Sequence, residues 1–460
     1  MNMLRTALLT SLLLIHPLSW AVDENLAPES ATGLQHGPSV TAQEQLVVSA
    51  HPLATAAGYD ILQQGGSAAD AAVAVQAMLT LVEPQSSGLG GGAFMLYWDN
   101  ERQQLHAYDG RETAPATATS ALFLQADGSP MNWWEAMVGG RSVGTPGVLA
   151  MLHLSQQQHG KLTWHSLFNT AITQSETGFA VSPRLHQLLS DKINPGLGRY
   201  PAARDYFFDP AGEPHPVGYV LKNPQLASSL RLIAAQGITA FYKGPLAEKI
   251  VDTVAAAQDN PGKLALADLS NYQAKERAPL CQPFRQYRVC GFPPPTSGGV
   301  TVLQIIKLLE RFDLEQLPAD GVVFNHLFTQ ASRLAFADRG RYLADSDFVP
   351  VPVAQLLDPD YLAQRSQLID PTRDLQTALP GTLPLTVSQG DDRSPELPST
   401  SHFTILDRWG NAVSMTSSIE MAFGSTLMAG GFLLNNQLTD FSFLAEADGK
   451  PIANRVQPGK

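Results

Sequence analysis

The stretch that most constrains this chain runs from Pro398 to Asp440, PSTSHFTILDRWGNAVSMTSSIEMAFGSTLMAGGFLLNNQLTD. Two apolar-rich runs, HFTILD and AVSMTS, flank Arg408-Trp409-Gly410-Asn411, whose Gly-Asn pair suits a tight turn, so the segment predicts an antiparallel hairpin. Thr400 stands just before its first strand, between Ser399 and Ser401. A threonine there is ordinarily only a β-branched residue packing on a sheet. A chain cut between Ser399 and Thr400 gives it a second property, because a free α-amine then lies beside its own hydroxyl. That amine has an ordinary pKa of about 7.7–8.0, so much of it is neutral near pH 7 and can serve as the base. Hydroxyl plus adjacent amine is an activated nucleophile.

The rest of the chain reads as mixed α/β. Residues 51–83 predict two helices: Gly65-Gly66 closes the first, and Ser67 with Asp70 forms a capping box for an Ala-rich second that ends at Pro84 and suits close packing on a sheet. Further helical periods cover 147–158, 224–236, 246–257, 300–312 and 323–343, while 373–398, with four prolines, reads as a mobile segment leading to the cut. GLGGGA (88–93) matches a dinucleotide-binding pattern, but a helix precedes it and a strand pattern follows, the reverse of what that site needs. It predicts a tight helix-to-strand turn. GRSVG (140–144) is formally a nucleophile elbow around Ser142, but no buried strand leads into it, so a packed turn is expected.

Of the 460 residues 44% are hydrophobic and 16% charged, which excludes a disordered chain, and the net charge of −12 argues against nucleic acid as a partner. Residues 1–21 read as a secretory signal: Arg5, the apolar run 7–15, and a small-x-small site at Ser19-Trp20-Ala21. The expected localisation is periplasmic or secreted, with no membrane span after signal removal. Cys281 and Cys290, the only two cysteines, bracket a predicted hairpin at equal distance from its middle. They make either a structural bridge or two free, half-buried thiols. Too few cysteines and no clustered histidines leave no metal site, and no cofactor is expected.

The Thr400 segment resembles the start of the small subunit of γ-glutamyltranspeptidases, which are N-terminal-nucleophile hydrolases. GGSAADAAVAV (65–75), EPQSSGLGGGAFML (83–96), DGRETAP (109–115), GTPGVLA (144–150), PPPTSGG (293–299) and HLFTQASRLAFADRGRYLADSDF (326–348) are similar to further blocks of that family, in the same order. The resemblance implies a four-layer αββα sandwich, with two stacked antiparallel sheets between helical layers. It implies a proenzyme cut at Ser399–Thr400 into a large-subunit region (22–399) and the start of a small-subunit region (400–460), which stay associated. Thr400 is then the catalytic nucleophile toward γ-glutamyl amides such as glutathione, with water or an amine as acceptor.

By the same resemblance Arg111 holds the substrate α-carboxylate, a match of guanidinium fork to carboxylate. Asp440 pairs with the α-ammonium, Gln437 supports that contact, and Ser418 supplies a hydroxyl beside the nucleophile. Glu420 departs from the asparagine common in bacterial members; its carboxylate suits an ammonium and repels a carboxylate. The longer, Tyr-bearing lid loop of many members is not matched after Asp440. These departures bring in a cephalosporin- or glutaryl-type acylase as the alternative, and an inactive γ-glutamyl-binding protein as a third. The 61 residues from Thr400 are also shorter than family small subunits and lack their Ser-Ser pair and Gly-Gly loop. The expectation is a chain that is C-terminally incomplete, with weak turnover on its own and an unpaired edge on the sheet that starts at Thr400.

Overall fold

The computed structural model describes residues 39–384, 389–392, 394 and 399–460. The first strand, β1 (Leu46–Val48), leads into helix α1 (Pro52–Gln63), which Gly65 ends with φ +88°. Helix α2 (Ala68–Val82) opens on the expected capping box: Asp70 N–H donates to Ser67 Oγ at 3.2 Å and Ser67 N–H to Asp70 Oδ2 at 2.9 Å. Every residue of α2 is buried. Its small side chains let it lie close against α1 and the central sheet; a Cβ on Gly58 of α1 would come within 2.5 Å of Val75.

The chain then turns through GLGGGA into β2 (Gly92–Asp99) and back as β3 (Gln104–Gly110). Helix α3 (Val148–His159) packs on that hairpin, and α4 (Pro224–Gln236) begins on an Asn223 cap. Helix α5 (Pro245–Ala255) follows, then the short strand β4 (Lys275–Arg277). Strands β5 (Leu280–Phe284) and β6 (Tyr287–Gly291) pair as a hairpin in which Cys281 faces Cys290, and the two cysteines form a disulfide. Helices α6 (Gly298–Leu309) and α7 (Val322–Tyr342) pack together beside it.

Strands β7 (Ser401–Leu406) and β8 (Ala412–Ser418) form the expected hairpin. Asp407 builds its turn: Oδ1 accepts from Trp409 N at 2.9 Å and Asn411 N at 3.0 Å, and Oδ2 accepts from Ala68 N at the start of α2. The central sheet is antiparallel throughout, in the order β1-β7-β8-β2-β3-β4. One face carries buried rows such as Phe403–Met415–Met95–Tyr108, set by register and period-2 alternation. The helices and the antiparallel sheet give the α/β class expected; among the described residues the other paired strands form only two-stranded pieces.

Two details bear on the sequence reading. Strand β7 pairs with β8 along its length but with β1 only at Thr404–Leu406, so among the described residues Ser401–Phe403, next to Thr400, pair on one side only. In the described part of the segment 373–398, groups find partners on α7. Asp374 pairs with Arg333 at 2.8 Å, and Gly381 N–H donates to Asp338 at 2.7 Å. Residues 385–388, 393 and 395–398 of that segment, and the leader expected at 1–21, lie outside the described residues. Among the described residues no helix is long and apolar enough to cross a membrane.

Candidate active site

Ser401 faces the core and Thr400 is exposed, so alternation turns the Thr400 side chain to the opposite face of the sheet, with His402 and Thr416. A cavity of about 420 Å³ opens on that face. Thr400, Arg111, Ser418, Glu420, Gln437 and Asp440 all line it, so every residue that the resemblance assigned to substrate or nucleophile meets in one place.

Each is placed by its neighbourhood. Arg111 follows the end of β3, where its N–H donates to Asp109 Oδ1 at 2.8 Å; Asp109 Oδ2 is held in turn by Arg277 of β4 at 2.6 Å. Ser418 ends β8 opposite Gly92. Its hydroxyl donates to the Ser399 carbonyl at 3.2 Å and accepts from Glu420 N–H at 2.7 Å. Glu420 adopts a left-handed φ of +75°, a strained conformation for a side chain of its size. Gln437 and Asp440 sit on one turn of 3-10 helix, Gln437–Asp440. That turn is anchored by Asn435, whose amide donates to Gly90 O at 2.8 Å and Gly144 O at 2.9 Å and whose oxygen accepts from Gly144 N. Asn435 thus ties together GLGGGA, GTPGVLA and the Asp440 turn.

The glycines at 90–92 are needed for close approach. A Cβ on Gly90 would lie 2.0 Å from Leu433 O, and one on Gly91 2.0 Å from Ser418 O. They are followed by β2, and the space beside Gly90 and Gly91 is taken by the chain's own carbonyls. Ser142 is buried on a 3-10 turn with its hydroxyl donating to Met137 O at 2.6 Å, so GRSVG is a packed turn as expected.

Charge is concentrated in the cavity. Arg111 and Asp440 form an ion pair, and Gln437 Nε2 bridges the two carboxylates, 2.7 Å from Glu420 Oε2 and 2.7 Å from Asp440 Oδ2. Burial drives the Glu420 carboxyl well above the usual range, and the Asp440 charge adds to the effect. Burial pushes Asp440 the same way, but the Arg111 charge and hydrogen bonds from Glu420, Arg111 and Gln437 hold it below its ordinary value. The pair therefore keeps its negative charge on Asp440. The repulsion expected of a charged Glu420 is relieved by burial.

Sequence reasoning missed three residues here: Asn435, and Glu112 and Arg339, which also line the cavity. Glu112 adjoins Arg111 in DGRETAP and Arg339 lies in the block 326–348. Their positions within those blocks were the available signal.

The model of the gamma-glutamyltranspeptidase family matches residues 54–460, and the chain belongs to that family. It is 36% identical over 469 residues to a glutathione hydrolase proenzyme of Bacillus subtilis, covering 100% of this chain and 78% of that protein. Its fold is similar to a cephalosporin acylase from Bacillus halodurans, with TM-score 0.79, 29% identity and coverage of 94% of this chain and 76% of that one. It is also similar to the Helicobacter pylori gamma-glutamyltranspeptidase, with TM-score 0.71, 31% identity and coverage of 76% and 99%.

Proposed function

We propose that this protein is a γ-glutamyl transferase and hydrolase, made as an exported proenzyme with a leader at 1–21 and cut between Ser399 and Thr400. The observation that carries the reading is the meeting of Thr400, Arg111 and Asp440 in one cavity. In the precursor the Thr400 hydroxyl adds to the Ser399 carbonyl carbon, the C–N bond breaks, and the hydroxyl proton passes to the freed amine of Thr400. Water then hydrolyses the ester, leaving a Ser399 carboxylate and the Thr400 hydroxyl. The Ser418 hydroxyl, 3.2 Å from the carbonyl oxygen that gains charge, is placed to stabilise that step.

In turnover the Thr400 amine takes the hydroxyl proton as Oγ attacks the γ-amide carbonyl. The amine of the substrate leaves with that proton, and a γ-glutamyl ester remains on Thr400. Water or an acceptor amine resolves it. Arg111 holds the α-carboxylate, and Asp440, with Gln437 and Glu420 beside it, holds the α-ammonium. Residues 22–399 form the large-subunit region and 400–460 the start of the small one, associated through the shared central sheet.

The likeness to a cephalosporin acylase supports a second reading, hydrolysis of glutaryl-type amides. A glutaryl group has no ammonium to meet the ionised Asp440, which favours the γ-glutamyl donor. Release rates from γ-glutamyl and glutaryl chromogenic amides test this, together with intact mass before and after incubation. A chain that stays whole, or a cut chain that cleaves neither amide, sinks the proposal.

A further inference from the structure

Glu112 is a buried side chain that this reaction leaves unused. It is 5% exposed, and its Oε1 has no hydrogen-bond partner among the described residues. Its Oε2 faces β2, where a Cβ on Gly92 would come within 2.2 Å of it. Gly92 pairs across the sheet with Ser418, so Glu112 stands in the same wall as the hydroxyl beside the cut site. It lines the 420 Å³ cavity together with Arg111 and Asp440. A buried carboxyl oxygen without a partner is costly, and it persists where a ligand completes its hydrogen bonding.

We propose that Glu112 is a substrate-binding residue: as a neutral carboxyl it donates a hydrogen bond to the α-carboxylate that Arg111 pairs with, and as an ionised carboxylate it turns that group away. This rests on the γ-glutamyl reading of the cavity. Arg111 is already shared with Asp440, so a neutral donor beside it adds a contact to the incoming carboxylate without adding a competing anion. Burial pushes the Glu112 carboxyl up to about 8, against the pull of Arg111 and with help from the Asp440 charge. The other titratable groups whose charge couples to it are Tyr242 and Tyr272, both buried and with their phenols pushed up, so neither is charged at neutral pH. Binding at a pH where free Glu112 is ionised then takes up a proton from solvent.

Calorimetric titration of L-glutamate into the full chain tests this at pH 7 and pH 9, in two buffers of different ionisation enthalpy. A group that titrates at about 8 loses most of its proton over that interval, so wild-type affinity is expected to fall about tenfold. Binding at pH 9 is expected to take up about one proton. Glu112→Gln keeps a donor and carries no charge, and its affinity should stay flat. Titration of the ligand ammonium or of the Thr400 amine is common to both proteins and cancels in the comparison. No fall in the wild type, or the same fall in Glu112→Gln, overturns the proposal, as does glutamate that fails to bind at either pH. Where Glu112→Gln does not fold, Glu112→Ala, which also carries no titrating group, replaces it in the comparison, and absence of proton uptake by the wild type at pH 9 overturns the role. A protein that binds glutamate with this pH response but cleaves no γ-glutamyl amide refutes the enzymatic reading and leaves Glu112 in place.

Discussion

Arg111 and Asp440 lie 329 positions apart in the chain and form an ion pair inside the cavity that Thr400 lines. The two charges that suit the two ends of an amino acid hold one another. An incoming α-carboxylate and α-ammonium would exchange this one pair for two, each charge keeping a partner. Both side chains stay about a third exposed, 34% and 38%, so the pair itself adds little to stability.

Arg111→Ala should therefore weaken substrate far more than fold. A lost charge-assisted contact of about 1.5–3 kcal/mol corresponds to a rise in KM of roughly 10- to 100-fold. Tm should move by only a few degrees. Steady-state kinetics on a γ-glutamyl chromogenic amide checks it, and an unchanged KM removes Arg111 from the site.

Thr400→Ala should stay uncut between residues 399 and 400 on prolonged incubation, read by intact mass. Thr400→Ser keeps a hydroxyl beside the same nitrogen and should be cut slowly. Cutting that survives Thr400→Ala would place the nucleophile elsewhere.

Gly91→Ala should damage processing from a distance. The new Cβ would press on the Ser418 carbonyl, and the strand would have to shift. Overpacking of this kind costs about 1–3 kcal/mol. Because the Ser418 hydroxyl contacts the Ser399 carbonyl, cutting should slow in protein that still unfolds cooperatively. Normal processing in Gly91→Ala would mean that Ser418 is not held by this contact.

Stability against pH gives a separate reading of Glu112. Its carboxyl is raised to about 8 in the fold by burial and titrates near 4.3 when unfolded. The stabilisation from holding that proton is fully present below about 4.3 and is lost as pH rises to about 8. Glu112→Gln should gain on the wild type in denaturant midpoint between pH 4 and pH 8. Parallel pH profiles for the two proteins would show that the Glu112 carboxyl is not raised.

The local parts were legible because each follows from short-range chemistry. The hairpin at 401–418 came from apolar runs around Gly410-Asn411, and α2 from a capping box and an Ala-rich run. The helix-to-strand turn at 88–93 came from the order of its neighbours, and the facing cysteines came from hairpin symmetry. The site residues were named from ordered family blocks, which give identities and no distances.

The sequence by itself determined which segments are helix or strand, which residues carry charge and hydroxyls, and the family to which the chain belongs. Only the tertiary structure decided what these groups are to one another. Asn435 reaches Gly90 and Gly144 across 345 and 291 positions, Gln437 bridges the Glu420 and Asp440 carboxylates from a turn of its own, and Glu112 Oε1 is left without a hydrogen bond; no local period encodes any of these. Their charges were decided there too. Glu420 and Asp440 start from nearly the same ordinary pKa and end on opposite sides of it, because burial dominates one and Arg111 holds the other.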